Sequence, residues 1–393
     1  MRRFSVAFSP ESSYGVTFGE HPPKKGLFFG EGAGLQDMDL GQLRAKIDAL
    51  DKQIVKLLND RAEVVVQVGE LKNAQKTPVY APDREHQILE RIQQLNSGPL
   101  SNQCLVAIYR ELMSGSFTLE RQLRVGCLGP EGSFSHVAAT GKFGASAEYL
   151  PLPDIRSVFD HVARGHIEVG VVPIENSIGG GVIDTLDAFL ETPVQICAEI
   201  RLAVHHNLLA NCPLEQIQRV YSKPEVFTQC RNWLSGTFAH VEIIPVASSA
   251  KAAELAVSEP NSGAIASRLA AELHNLKILC ENIEDYANNE TRFLVISQNR
   301  AKPTGNDKTS LLMTTAHKPG ALVAALDAFR QNNINLTYID SRPNKKQNWE
   351  YNFFIDTEAH VEQPAMKAAL DTARQHTTQL IILGSYPQAV DIL

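Results

Sequence analysis

Arg61 and Lys72 are the residues whose placement first asks for a chemical reason. Ten positions recur at alternating three- and four-residue steps: Leu40, Leu43, Ile47, Leu50, Ile54, Leu57, Arg61, Val64, Val68 and Leu71. Nine of them are apolar, as in a coiled-coil seam, and one is an arginine. A guanidinium in such a seam is costly unless an acid or an anion pairs with it. Either a carboxylate partner lies inside a helical bundle or the bundle binds an anionic ligand, and the rest of the chain favours the ligand. Lys72 follows Arg61 by eleven residues, almost a whole number of turns, so the two share a face. Arg44 precedes Lys72 by 28 residues, roughly 42 Å along a straight helix at 1.5 Å per residue. One small ligand cannot span that distance within a chain, so Arg44 joins the site only from an antiparallel partner.

A second set of polar residues clusters in short motifs further along. Gly129-Pro130-Glu131-Gly132-Ser133-Phe134-Ser135 follows a strand and opens a helix, where amides can face an anion. Val172-Pro173-Ile174-Glu175-Asn176-Ser177 ends an apolar strand, a position suited to lining a cleft. Ser222 and Gln229 hold an equivalent place in a second lobe, and Ser248-Ser249 reads mainly as a helix cap. In Asn289-Glu290-Thr291-Arg292-Phe293, period two puts Thr291 and Phe293 on one face and Arg292 on the other. His205-His206 does not read as a metal site, because neighbours on a strand point to opposite faces.

These residues need elements to hold them. Residues 39–123 read as three helices: one to about Lys72, one capped by Asp83 through Leu95, and one over roughly 100–122. Residues 124–300 alternate short strands with helices, with strands expected at Val125–Leu128, Val169–Val172, Val194–Ile200, Arg219–Ser222, Glu242–Pro245 and Arg292–Ser297. That count suits two α/β lobes around a cleft. Residues 301–308 read as a linker. Residues 309–393 read β-α-β-β-α-β, with strands Ser310–Thr315, Asn335–Asp340, Trp349–Asp356 and Leu380–Gly384, a ferredoxin-like order. The chain of 393 residues thus holds several domains. A net charge of −7, with 44% hydrophobic residues and no membrane-length apolar run, argues against nucleic acid or membrane as partner. Its six scattered cysteines read as reduced cytosolic residues, so a cytoplasmic location is expected. Residues 1–38, rich in Gly, Pro, Ser and Phe, read as a disordered tail or an over-extended start.

The first segment resembles the all-helical chorismate mutases through Leu43-Arg44, Ile47-Asp48, Asp51, Arg61, Lys72, Asp83-Arg84-Glu85 and Ser116 with Glu120. The resemblance implies an intertwined dimer in which Arg44 crosses to the partner's site. Arg44 and Arg61 would hold the two carboxylates and Arg84 would buttress them. Lys72 would donate to the ether oxygen, and Glu85 would take the substrate hydroxyl. This chain carries Glu120 where the enteric enzymes carry glutamine, and Ala81 where they carry aspartate. A carboxylate at Glu120 repels charge growing on the ether oxygen whereas a carboxylic acid donates to it, so activity is expected to increase toward mildly acidic pH.

The middle segment resembles prephenate dehydratase through Thr-Arg-Phe at 291–293, Pro-Ile-Glu-Asn-Ser at 173–177 and Gly-Pro-Glu-Gly-Ser-Phe-Ser at 129–135. The resemblance implies a two-lobed fold like the type II periplasmic binding proteins. It also implies prephenate binding by Ser133, Asn176, Ser222, Gln229 and Thr291, with Thr291 essential at the leaving hydroxyl. Glu175 is a better proton source than a threonine if the cleft desolvates it, and the sequence leaves the two open. The last segment resembles ACT-type regulatory domains through Gly320-Ala321-Leu322-Val323 and Ser341-Arg342, which would bind phenylalanine between two such domains; Asp340 stands where the motif usually has glutamate. The order matches the bifunctional chorismate mutase/prephenate dehydratase family, with chorismate and prephenate as substrates, phenylalanine as effector, and a homodimer or larger assembly. Neither reaction calls for a metal or cofactor, and none is expected. Two other readings stay open: a dehydratase whose helices only dimerise or sense chorismate, and a non-catalytic amino-acid-responsive binding protein.

Overall fold

The computed structural model describes residues 39–75, 77–238, 240–344, 350–389 and 391–393, so the expectation for residues 1–38 and the Trp349 end of one strand lie outside the described residues. The chain divides into two compact units between Asp60 and Arg61. Helix α1 (Leu40–Gln75) begins in the first of them. Asp39 and Gln42 form a capping box at its start: the Asp39 carboxylate accepts from the Gln42 amide at 2.8 Å, and the Gln42 side chain accepts from the Asp39 amide at 3.3 Å. Leu40, Ile47, Leu50, Ile54 and Leu57 are each more than half exposed, so the seam that the spacing reveals is uncovered in the single chain.

The second unit starts on the same helix and adds α2 (Pro82–Leu95) and α3 (Asn102–Glu120). Pro82 occupies the first turn of α2, where its missing N–H costs nothing, and Ala81 holds the cap position without a side-chain bond. Asp83, expected as that cap, sits instead inside the first turn, where its charge suits the helix dipole. Ser101 caps α3 through the Cys104 amide at 3.2 Å. Gly69 lets α1 and α3 touch: a Cβ there would lie 2.8 Å from Glu120 Cα.

A layered α/β region follows: β1 (Arg124–Leu128), α4 (Phe134–Phe143), β2 (Glu148–Leu152), α5 (Ile155–Ala163), β3 (Val169–Asn176), β4 (Gly180–Gly181), α6 (Ile183–Glu191) and β5 (Gln195–Ala203). The second lobe holds β6 (Asn207–Ala210), β7 (Arg219–Ser222), α7 (Pro224–Gln229), α8 (Arg231–Thr237), β8 (Glu242–Pro245), α9 (Ser249–Ser258), β9 (Ser262–Ala266), α10 (Arg268–His274) and β10 (Lys277–Cys280), before β11 (Glu290–Ser297) returns to the first. The first sheet runs β2-β1-β3-β11-β5 with β4 folded onto β3, and the second runs β10-β6-β9-β7-β8. β11 is antiparallel to both β3 and β5, which brings Thr291 opposite Asn176 at the end of β3. The sheet buries both faces. Val171, Phe293, Val295 and Cys197 pack with Phe143 of α4 and with Tyr80. Val172, Leu294, Ile296 and Ile196 pack on the other side with Phe159 and Phe189.

The C-terminal sheet, β13-β14-β12-β15, is built from β12 (Asp307–Thr314), β13 (Leu336–Pro343), β14 (Tyr351–Thr357) and β15 (Gln379–Pro387), with α11 (Ala321–Gln331) and α12 (Pro364–Arg374) on one face. The expected ferredoxin-like order is present. Its Leu312, Phe354 and Leu383 join the core beneath the first sheet. Asp307 and Lys308, read as linker, already belong to β12 and are buried. β2, β6, β9 and β10 were not among the expected strands, because short apolar runs such as Asn207–Ala210 show neither period. All six cysteines are free; Cys127, Cys197 and Cys230 are buried, and burial pushes each thiol up to about 12, whereas Cys104 is exposed. Among the described residues no helix is long and apolar enough to cross a membrane, and no cluster suits a metal ion.

Candidate functional site

A cavity of 510 Å³ opens among α1, α2, α3 and the Val79–Ala81 turn. Val64, Val65, Val68, Ile88, Met113 and Phe117 give it apolar walls, and Arg61, Lys72, Arg84, Glu85, Ser116 and Glu120 enter as polar groups. Every residue expected at the chorismate site except Arg44, which lies in the other unit, therefore lines one cavity. Arg61 Nη1 donates to Ser116 Oγ at 2.9 Å, and that hydroxyl donates on to Leu112 O at 2.8 Å. Lys72 Nζ lies 2.7 Å from Glu120 Oε2 and 3.2 Å from Val79 O. Among the described residues neither Arg61 nor Arg84 makes a salt bridge, so the carboxylate partner that could have explained Arg61 is absent from this pocket. Glu85 Oε2 accepts from Tyr80 Oη at 3.1 Å and lies 3.0 Å from Lys142 Nζ on α4. Burial, then the Glu85 charge, pushes the Tyr80 hydroxyl well above its ordinary range and keeps it a donor.

The second cluster is built where β3 and β11 end side by side. Asn176 Nδ2 donates to Thr291 Oγ1 at 2.9 Å and to Asn289 Oδ1 at 2.9 Å. Asn289 Nδ2 donates to Gln229 Oε1 at 3.2 Å, and His206 Nε2 meets the same oxygen at 2.7 Å. The Asn176 carbonyl oxygen Oδ1 is fixed in turn by the Ile178 and Gly179 amides. Thr291, Asn176 and Gln229 are thus brought together as expected. Ser133 and Ser222 are not part of this network. Ser133 caps α4 and donates to Leu128 O at 2.7 Å, while Ser222 is fully buried and donates to Ile265 O at 2.7 Å.

Glu175 is also set apart from Thr291. It pairs with Arg292, the next register position, so its side chain leaves the opposite face of the sheet. Burial raises its carboxyl above the ordinary range while Arg292 pulls the other way, with Asp356, Lys308 and Asp340 nearby. On that face Arg292 meets Glu199 Oε2 at 2.7 Å, Asp356 Oδ2 at 2.6 Å and Tyr386 Oη at 3.0 Å, and Lys308 Nζ reaches Glu199 Oε1 at 3.0 Å. Burial opposes these charges, and the pairing outweighs it: Arg292 is raised by Tyr386, Asp356 and Glu199, and Glu199 is lowered by Arg292 and Lys308. Of the two proton sources that the sequence leaves open, Glu175 thus lies on the face with Arg292 and Thr291 on the face with Asn176.

In the C-terminal domain, Gly320, Ala321, Leu322 and Val323 line a recess of 200 Å³ with Thr315, His317, Tyr351 and Phe353. Gly320 has φ of 82°, the left-handed region open to glycine, where α11 begins. Ser341 and Arg342 do not line this recess; Arg342 Nε reaches Asp187 Oδ1 on α6 at 3.4 Å. Asp340 accepts from Tyr338 Oη at 3.2 Å and lies against Gly181 of β4, where an added Cβ would stand 2.2 Å from its carboxylate.

Residues 43–121 match the type II chorismate mutase profile, and residues 125–301 match the prephenate dehydratase profile. The bifunctional chorismate mutase/prephenate dehydratase of Aquifex aeolicus is 44% identical over 357 residues, covering 90% of this chain and 99% of that one. The chain belongs to that family. The family's namesake from Pseudomonas aeruginosa is 43% identical and covers 91% of this chain and 100% of its own length. Among solved structures, prephenate dehydratase from Arthrobacter aurescens in complex with L-Phe is 30% identical with a TM-score of 0.64, covering 67% of this chain and 90% of that one. Within this family frame, the sequence reading missed Asn289, which links Asn176 to Gln229, and His206. Burial lowers the His206 pKa, and among the described residues its Nδ1 is buried with no partner. The adjacent histidines at 205–206 are the signal in the sequence that points to this residue.

Proposed function

We infer that the chain catalyses two consecutive steps of phenylalanine biosynthesis, chorismate to prephenate and then prephenate to phenylpyruvate, CO2 and water, under inhibition by phenylalanine. The observation that carries this reading is the convergence of the expected chorismate residues other than Arg44 on one cavity, whose two arginines make no salt bridge among the described residues. The rearrangement is unimolecular and needs only a compact conformer with donors aimed at the ether oxygen. Arg61, with Arg44 of a partner chain in an intertwined dimer, holds the substrate carboxylates, and Arg84 supports them. Lys72 turns from Glu120 to the ether oxygen. Glu85 accepts the ring hydroxyl.

In dehydration, the bond to the departing carboxylate supplies the electrons that aromatise the ring as the hydroxyl leaves. Asn176 occupies one lone pair of Thr291 Oγ1, so the threonine O–H is left to donate to that hydroxyl, which leaves as water by taking this proton while Thr291 regains one from solvent. Gln229 has its oxygen held from two sides, which turns its NH2 toward a substrate carboxylate. The recess at Gly320–Val323 supports effector binding, with Ser341 and Arg342 of a partner domain completing it. One coupled assay tests all of this: purified chain given chorismate should accumulate phenylpyruvate, and millimolar phenylalanine should suppress the second step. Dehydration without rearrangement would leave the helices a dimerising or sensing role, and indifference to phenylalanine would remove the effector assignment.

A further inference from the structure

The dehydratase segment touches Glu85 and Tyr80 in the wall of the mutase cavity through the C-terminal end of α4. Lys142, on the last turn of α4, lies 3.0 Å from Glu85 Oε2, with side chains 22% and 12% exposed. Phe143 stacks edge-on against Tyr80 at 5.0 Å between ring centroids. The turn that follows docks on α3: Ser146 N donates to Ser114 Oγ at 2.9 Å, and Ala145 N donates to Glu111 at 3.1 Å. A Cβ on Gly144 would stand 2.7 Å from Ser114, so the join admits no side chain there. The end of α4 is therefore wedged between the turn at Tyr80 and α3, the element that also carries Ser116 and Glu120.

We propose that Lys142 is a positioning residue for the chorismate mutase reaction, holding Glu85 in place to accept the substrate hydroxyl. The proposal rests on the reading that Glu85 binds that hydroxyl. Both protein donors to Glu85, Tyr80 Oη and Lys142 Nζ, meet Oε2. Oε1 has no protein donor among the described residues and is left for a ligand. A charge-assisted bond is about twice as strong as a neutral one and fixes the oxygen it grips, so Tyr80 alone would leave the carboxylate free to turn. A contact to a hydroxyl that persists through the reaction binds ground and transition states alike, and its loss shows in KM rather than kcat.

The test is steady-state kinetics on the full chain with chorismate and, separately, with prephenate. Lys142→Gln should raise the chorismate KM about tenfold with kcat changed less than about twofold. Lys142→Arg should restore KM, and prephenate turnover should be unchanged in both. In a Glu85→Gln background, Lys142→Gln should have no further effect, because the pair acts as one unit. An unchanged chorismate KM in Lys142→Gln overturns the proposal, as does a loss that arginine fails to restore or one that extends to prephenate turnover. If instead Glu85→Gln alone leaves the chorismate KM at the parent value, the role of Glu85 in substrate binding fails, whatever Lys142 does.

Discussion

The cavity around Arg61 and the cluster around Thr291 handle charge in opposite ways. The first sets cations and carboxylates inside apolar walls. The second brings together a hydroxyl and amides, and the strong charges near it lie on the other face of the sheet, where Arg292 and Glu199 meet Asp356 of the C-terminal sheet. The contrast follows the chemistry. A rearrangement keeps both substrate carboxylates, so binding them tightly costs nothing in the transition state. A decarboxylation must release one, and a cation gripping it would stabilise the ground state more than the transition state. Neutral donors orient that group without holding its electrons.

The largest test of this contrast is reciprocal. Thr291→Ala should lower prephenate turnover by about 10²-fold or more and leave chorismate turnover at the parent level. Arg61→Ala should do the reverse, lowering chorismate kcat/KM about 10²-fold, mainly through KM, measured with each substrate alone. A variant that damages both reactions equally would erase the separation. A smaller effect is expected at Glu120, whose carboxylate is paired with Lys72 at 2.7 Å. Glu120→Gln removes that ion pair at nearly constant shape and should change chorismate kcat/KM by less than about tenfold, and an unchanged value would remove Glu120 from the reaction.

The smallest effect belongs to Glu175, and it is one of stability. Its folded carboxyl is raised by burial, so its contribution is present at low pH and lost as pH rises through that raised value. Glutamine stays neutral throughout. Glu175→Gln should therefore gain melting temperature over the parent as pH rises above the ordinary carboxylate range, with prephenate turnover reduced less than about threefold. A sharp loss of dehydration would instead return Glu175 to the role of proton source.

The helical cavity was legible because an arginine broke a periodic seam, and helical spacing converts directly into a shared face. The neutral cluster was legible only in part. Period two separates Thr291 from Arg292, but it says nothing about Glu175 until the register with β3 is known, and that register skips a residue between Arg292 and Phe293. Ser133 and Ser222 have the right residue type at the right strand ends and are taken up by a cap and a buried carbonyl. Short buried strands such as β6 and β9 carry no alternation to read. Lys142 was invisible, since its partner Glu85 lies 57 residues earlier in another fold class.

The Arg292 cluster has a thermodynamic consequence. Arg292 and Glu199 belong to the dehydratase sheet, whereas Lys308, Asp356 and Tyr386 belong to the C-terminal one. Parting the sheets would strand a buried arginine and a buried glutamate, each a cost of about 3–5 kcal/mol. The two sheets should then melt as one cooperative unit, and amide protons in β11 and β14 should exchange with a common free energy of opening. A ligand that tightens the C-terminal sheet would slow exchange beside Thr291 without touching it.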